Sequence, residues 1–153
     1  MAIDLTKVEI DIALPRVTKG LDQYLWLQAN RDTGDLRLNS LYRRRFNHFY
    51  RVRRGKDWQE KFYELLETKK GKQVSFTEVL DELYKATSRY EASFASKLLA
   101  TLDPQMPVID SIVLRNLNLK LPAFNVQDRA TRICEVHNSL LCCFKEFLTT
   151  DNG

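Results

Sequence analysis

The chain has 153 residues, 44% of them hydrophobic and 29% charged, which suits one domain with one good core and excludes a disordered chain. Five Gly and four Pro are too few for a sandwich or barrel of many tight turns, and no apolar run is long enough to cross a bilayer. The net charge of +4 is unevenly spread: residues 37–72 hold twelve Lys or Arg and four acids, net +8, while the rest hold twelve and sixteen, net −4. Such a concentration is a usual footprint of a phosphate-bearing partner.

The opening MAIDLTKVEIDIAL mixes acids into its apolar pattern and lacks the basic start of a signal peptide, so a cytoplasmic protein is expected. Residues 7–14, KVEIDIAL, alternate Val8, Ile10, Ile12 and Leu14 with Glu9 and Asp11. That period of two predicts an extended N-terminal arm over 1–16, lying against helices or pairing with a partner, a second copy included. Leu21, Tyr24, Leu25 and Gln28 predict a helix over 18–30, and the turn DTGD follows. Leu38, Leu41, Tyr42, Phe46, Phe49 and Tyr50 recur at three- and four-residue steps and predict a long helix over 38–54, ended by Gly55. Trp58, Phe62, Leu65 and Leu66 predict the next, over 57–68. Ser75 and Glu78 read as a capping box opening a helix over 75–87. Further helices are predicted over 92–102, 110–118 and 127–148, with Pro104, Pro107 and Pro122 between them. The expected fold is all-α, a single domain of six to seven helices.

Cys134, Cys142 and Cys143 form no disulfide framework, being odd in number and partly adjacent, and read as buried thiols. With His137 as the nearest further candidate, they fall short of a zinc site, and neither metal nor cofactor is expected.

The stretch LYRRRFNHFYRVRRGKDWQEKFY carries the strongest chemical signal. Arg43, Arg44, Arg51 and Arg54 fall mostly off its apolar stripe, Arg45 and Arg53 nearer its edge, and Lys56 and Lys61 follow on the next helix. Arginine grips phosphate oxygens with two parallel hydrogen bonds, so Arg43, Arg44, Arg51, Arg54, Lys56 and Lys61 are the candidate DNA-binding residues. A solvated or internally paired basic face is the plain alternative, an acidic protein partner a third. The aromatics between the arginines read as core, and His48 carries no assignment.

Residues 89–117, RYEASFASKLLATLDPQMPVIDSIVLRNL, resemble the helix-hairpin-helix DNA glycosylases of the 8-oxoguanine DNA glycosylase type. The likeness lies in Ala-x-Lys-Leu-Leu, an apolar turn ending in Pro, and Val-Ile-Asp-Ser-x-Val; it covers about thirty residues. FYRVRRGKDWQEKFYELLE and EASFASKLLATLDPQMPVIDS also resemble a group of uncharacterised bacterial proteins of the same character. The resemblance implies the helix-hairpin-helix fold, binding of duplex DNA, and Asp110 in the catalytic aspartate's place. Two features depart from the pattern. KATSRYEA at 85–92 lacks the glycines whose amides grip a phosphate in the family's hairpin. The position of the family's nucleophilic lysine falls on Glu91 or Ala92, neither of which can form a Schiff base. Lys97 lies about two turns further along, expected to be carried away from Asp110. Asp110 is also a favoured helix N-cap, a role compatible with chemistry because a charged carboxylate is what an oxocarbenium-like transition state needs.

The expected function is therefore DNA binding by a glycosylase relative without lyase activity. The alternatives are a monofunctional N-glycosylase using Asp110 and a helical protein-interaction module. The chain ends just after a long helix, at TTDNG, where family members continue; a shortened form is an expectation from the resemblance.

Overall fold

The computed structural model describes residues 3–153, and among them the secondary structure is seven α-helices without a strand. They are α1 (Lys7–Asn30), α2 (Ser40–Phe49), α3 (Lys56–Lys69), α4 (Phe76–Thr87), α5 (Ala92–Leu102), α6 (Ser111–Asn116) and α7 (Arg129–Leu148).

The extended arm predicted over 1–16 is overturned from Lys7 onward, where α1 begins. The cause is local. Thr6 Oγ1 accepts from Glu9 N (3.2 Å), and Glu9 Oε2 accepts from Thr6 N (2.8 Å), a complete capping box. Lys7 then bonds Asp11 one turn on, at 2.6 Å. With no second strand to satisfy it, an extended segment would leave its backbone groups unpaired by protein, whereas the helix satisfies them internally. Pro15 sits inside α1 and removes one ladder bond.

The helix predicted over 38–54 is shorter than expected, because α2 stops at Phe49. Its end closes with Val52 N donating to Asn47 O (2.8 Å) and Arg51 N to His48 O (3.4 Å), with Arg51 in the left-handed region at φ 53°. This is a Schellman closure with arginine where glycine is usual. The same closure ends α6, where Asn118 takes φ 55° and Leu119 N donates to Leu114 O.

The core centres on α5, which packs on α3 and α4 and buries Ala95, Leu98 and Leu99. Around it, Tyr42, Phe46, Phe62 and Tyr63 form a buried aromatic cluster that joins α2 to α3. The C-terminal half of α1 closes over α2, with Trp26 stacked on Tyr42 and Leu27 buried. α7 packs against α4 through His137, whose ring lies flat on Phe76 at 3.9 Å. His137 is buried, and burial pushes its pKa down to about 4, against a weaker upward pull from its hydrogen bond to the Pro107 backbone. The expectation of buried thiols holds for Cys143 but fails for Cys142, which is exposed; Cys134 is half-buried. Two adjacent helical positions point about 100° apart, so they cannot both face one core.

Candidate nucleic-acid interface

The basic residues between 37 and 61 divide by what their side chains touch. Arg43 Nη1 donates to Arg37 O (2.8 Å), and its guanidinium lies over the Tyr63 ring. Arg54 pairs with Glu91 Oε2 at 2.9 Å, and Glu91 is almost fully buried. The sequence pattern places both arginines toward phosphate, yet both are occupied inside the protein. Lys56 and Lys61 are exposed on α3 and do not line the hollows that the remaining arginines border.

Arg44, Arg45, Arg51 and Arg53 are exposed, and among the described residues no carboxylate pairs with any of them. They border two adjoining hollows. The first, about 380 Å³, is lined by Gln23, Trp26, Arg44, Arg45 and His48. The second, about 640 Å³, is lined by Gln23, Asn47, His48, Phe49, Arg51, Val52 and Arg53. Gln23 and His48 belong to both, so the two form one continuous groove where α1, α2 and the 50–54 segment meet. The groove is braced from behind. Asn47 Nδ2 donates to Gln59 Oε1 (2.9 Å), Asn47 Oδ1 accepts from the Tyr63 hydroxyl, and Gln59 Nε2 donates to Arg54 O (2.7 Å). The Arg45 guanidinium carbon lies over the Trp26 ring, 4.2 Å from its centroid, a cation–π contact. Helical spacing alone sets Arg45 and Arg53 aside as too near the apolar stripe. The break in the helix after Phe49 puts Arg53 off that stripe altogether.

A larger cleft, about 910 Å³, lies between the α4–α5 turn and the start of α7. Its lining includes Tyr90, Phe94, Phe124, Arg89, Asp128 and Arg129 together with the Arg54–Glu91 ion pair. Arg129 is stacked on Phe124. No carboxylate lines the groove, whereas Glu91 and Asp128 line the cleft.

Asp110 caps α6. Its Oδ1 accepts from Ile112 N (2.9 Å) and Val113 N (3.2 Å), and the residue is exposed, lining none of these hollows. Both cap bonds use one oxygen, so Oδ2 is left toward solvent. Burial lowers the Lys97 pKa, with the charge of Asp110 acting in the opposite direction. The 103–109 loop returns to the middle of α5, where Ile109 N donates to Ser96 Oγ (2.8 Å). Lys97 Nζ is held by the Tyr50 carbonyl at 3.2 Å, over the rings of Phe94 and Tyr50. The helices predicted over 75–87 and 92–102 are present as α4 and α5, and Ser88 takes the left-handed position at φ 64° between them.

No family model matches the chain, and no curated protein or solved structure is found to match it.

Proposed function

We propose that the protein binds DNA through the groove bordered by Arg44, Arg45, Arg51 and Arg53, as a relative of the helix-hairpin-helix glycosylases without lyase activity. The observation that carries the reading is the set of four exposed arginines with no acid partner around an aromatic-walled hollow. Cations kept close without counter-charges repel one another, and a polyanion relieves that repulsion. Exposed arginines around one groove suit contacts to backbone phosphates, which position a duplex without reading its sequence.

Replacing the four together by alanine is expected to weaken association with a short duplex by roughly a hundredfold or more. The slope of log affinity against log salt should flatten by about 0.9 for each phosphate the variant no longer neutralises. Fluorescence anisotropy across a salt series measures both. An unchanged slope returns the groove to solvated surface. The matching quadruple replacement by lysine, which keeps the charge, should recover most of the affinity.

One observation favours the N-glycosylase reading as a second: both cap bonds of Asp110 use Oδ1, which leaves Oδ2 uncommitted. Incubation with a modified duplex, followed by alkaline cleavage, would report base release that disappears in Asp110→Asn. The same duplex with borohydride should trap no covalent adduct, because the Lys97 amine is held on the Tyr50 carbonyl.

A further inference from the structure

The cleft between the α4–α5 turn and the start of α7 carries charge and ring surface that the DNA-binding groove does not use. Its volume of about 910 Å³ lies in the range of cavities that hold a small organic ligand. Three guanidinium groups line it, and their partners differ. Arg54 is closed onto Glu91. Arg89 and Arg129 make no ion pair among the described residues, and Arg129 Nε meets no acceptor in the protein. Asp128, the other carboxylate of the lining, is taken by Arg132 at 2.9 Å. Two cations are therefore left without counter-charge in one cleft. Guanidinium groups of this kind hold phosphate or carboxylate oxygens through paired N–H bonds. The ring surface is equally open. Phe124 lines the cleft with 91% of its surface exposed, and Tyr84, 42% exposed, stacks on Tyr90 at 4.2 Å. Glu91 adds an acceptor: its side chain is 4% exposed, Oε2 takes Arg54, and Oε1 accepts no hydrogen bond among the described residues. A nearly buried carboxylate oxygen favours a donor.

We propose that this cleft binds a free mononucleotide. Its phosphate is held by Arg89 and Arg129, its base stacks on the exposed rings, and an N–H of the base donates to Glu91 Oε1. The three features select that ligand together. An inorganic anion would leave the rings wet, and an uncharged nucleoside would leave the two arginines unpaired. Base–aromatic stacking is tolerant of the base, because every base has a π-face. Two unpaired guanidinium groups match one phosphate rather than the run of phosphates along a strand. The cleft shares no lining residue with the groove, so the site goes beyond DNA binding and stands whether or not that reading holds.

Calorimetric titration of the full chain with adenosine monophosphate, adenosine and inorganic phosphate tests it. The monophosphate is expected to bind at least about tenfold more tightly than either fragment, because it alone engages the cations and the rings at once. Arg89→Ala together with Arg129→Ala should bring it down to the affinity of adenosine. Phe124→Ala should weaken it by about tenfold; the residue is almost wholly exposed, so the fold should survive. Purine riboside monophosphate, whose ring carries no N–H, should bind about tenfold more weakly than the adenosine compound. Replacing the groove arginines Arg44, Arg45, Arg51 and Arg53 should leave nucleotide binding as it was. The Arg89 and Arg129 changes should leave the salt slope of duplex binding as it was, so the two sites fail separately. No heat from the monophosphate, inorganic phosphate bound as tightly as the nucleotide, or an affinity indifferent to Arg89 and Arg129 or to Phe124 would each overturn the proposal. So would a cleft that takes a short single strand and no free nucleotide.

Discussion

Arg51 and Arg53 stand in solvent at the rim of the groove, while Arg54, the next residue along, is closed onto Glu91 and the ring of Trp58. The two histidines divide in the same way, His48 lining the groove and His137 buried flat against Phe76. One side of the protein leaves its polar groups open to a partner. The other, where α3, α4, α5 and α7 meet, closes charged groups onto one another, Arg54 on Glu91 and Lys69 on Glu82. Basic residues must therefore be sorted by their acid partners before they are counted toward a binding face. Neighbours in sequence can belong to opposite sides.

The largest effect on stability is expected from Arg54→Ala. It would leave Glu91 as a nearly buried carboxylate without its counter-ion, a loss of about 3 kcal/mol, reduced somewhat because Arg54 itself is partly wetted. Urea unfolding would read the loss. DNA affinity and its salt slope should stay close to those of the parent under conditions where the variant is folded. A slope that flattened as it does for Arg51 or Arg53 would erase the division between the two sides. Glu91→Gln with Arg54→Met removes both charges together and should recover much of the stability.

A smaller effect separates the histidines. His137 has a folded pKa of about 4, below its ordinary value of 6.5. Above 6.5 both folded and unfolded chains hold the ring neutral, and its contribution is complete. As pH falls below 6.5, the unfolded chain takes up a proton that the folded one refuses until about pH 4. Stability should therefore decline across that window, by about 2 kcal/mol from this group. Chemical unfolding at a series of pH values would show the decline shrinking in His137→Gln. His48→Gln, on the open side, should leave the decline in place.

Much of this arrangement is legible in the sequence, and the rest is hidden for physical reasons. α3, α4, α5 and α7 carry apolar residues at helical spacing because each buries one face, and that spacing is independent of what lies opposite. α1 misleads because Val8, Ile10, Ile12 and Leu14 alternate. With two apolar positions on each of two exposed sides, no burial imposes a single period. Its true signal is Thr6-x-x-Glu9, a full capping box; at Ser75-x-x-Glu78 the cap bond present is Ser75 Oγ accepting from Glu78 N. The excess of arginine is plain, but the acid that claims Arg54 lies thirty-seven positions away. No local pattern announces such a pair. The loop that folds back onto Ser96 through Ile109 is likewise unannounced by any local pattern.

The smallest effect bears on Arg51, where the two sides meet in one residue. Arg51 and Asn118 close α2 and α6 by the same pair of backbone bonds and share a left-handed backbone. Asparagine enters that region readily, whereas arginine does so at a cost of about 1 kcal/mol. Nothing in the fold demands a long side chain at Arg51, since the residue is exposed and makes no ion pair. Strain that stays where glycine would relieve it points to a use for the side chain. Arg51→Gly should accordingly raise stability by about 0.5–1 kcal/mol, and Asn118→Gly by only a few tenths. The same Arg51→Gly change should weaken DNA binding by about fivefold and lower the salt slope by about one, while Asn118→Gly leaves both alone. A gain in stability with no loss of binding would mean that the strain at Arg51 serves no contact with DNA. A loss of stability would mean that the arginine side chain holds the end of α2 together, and that the residue belongs to the closed side of the protein.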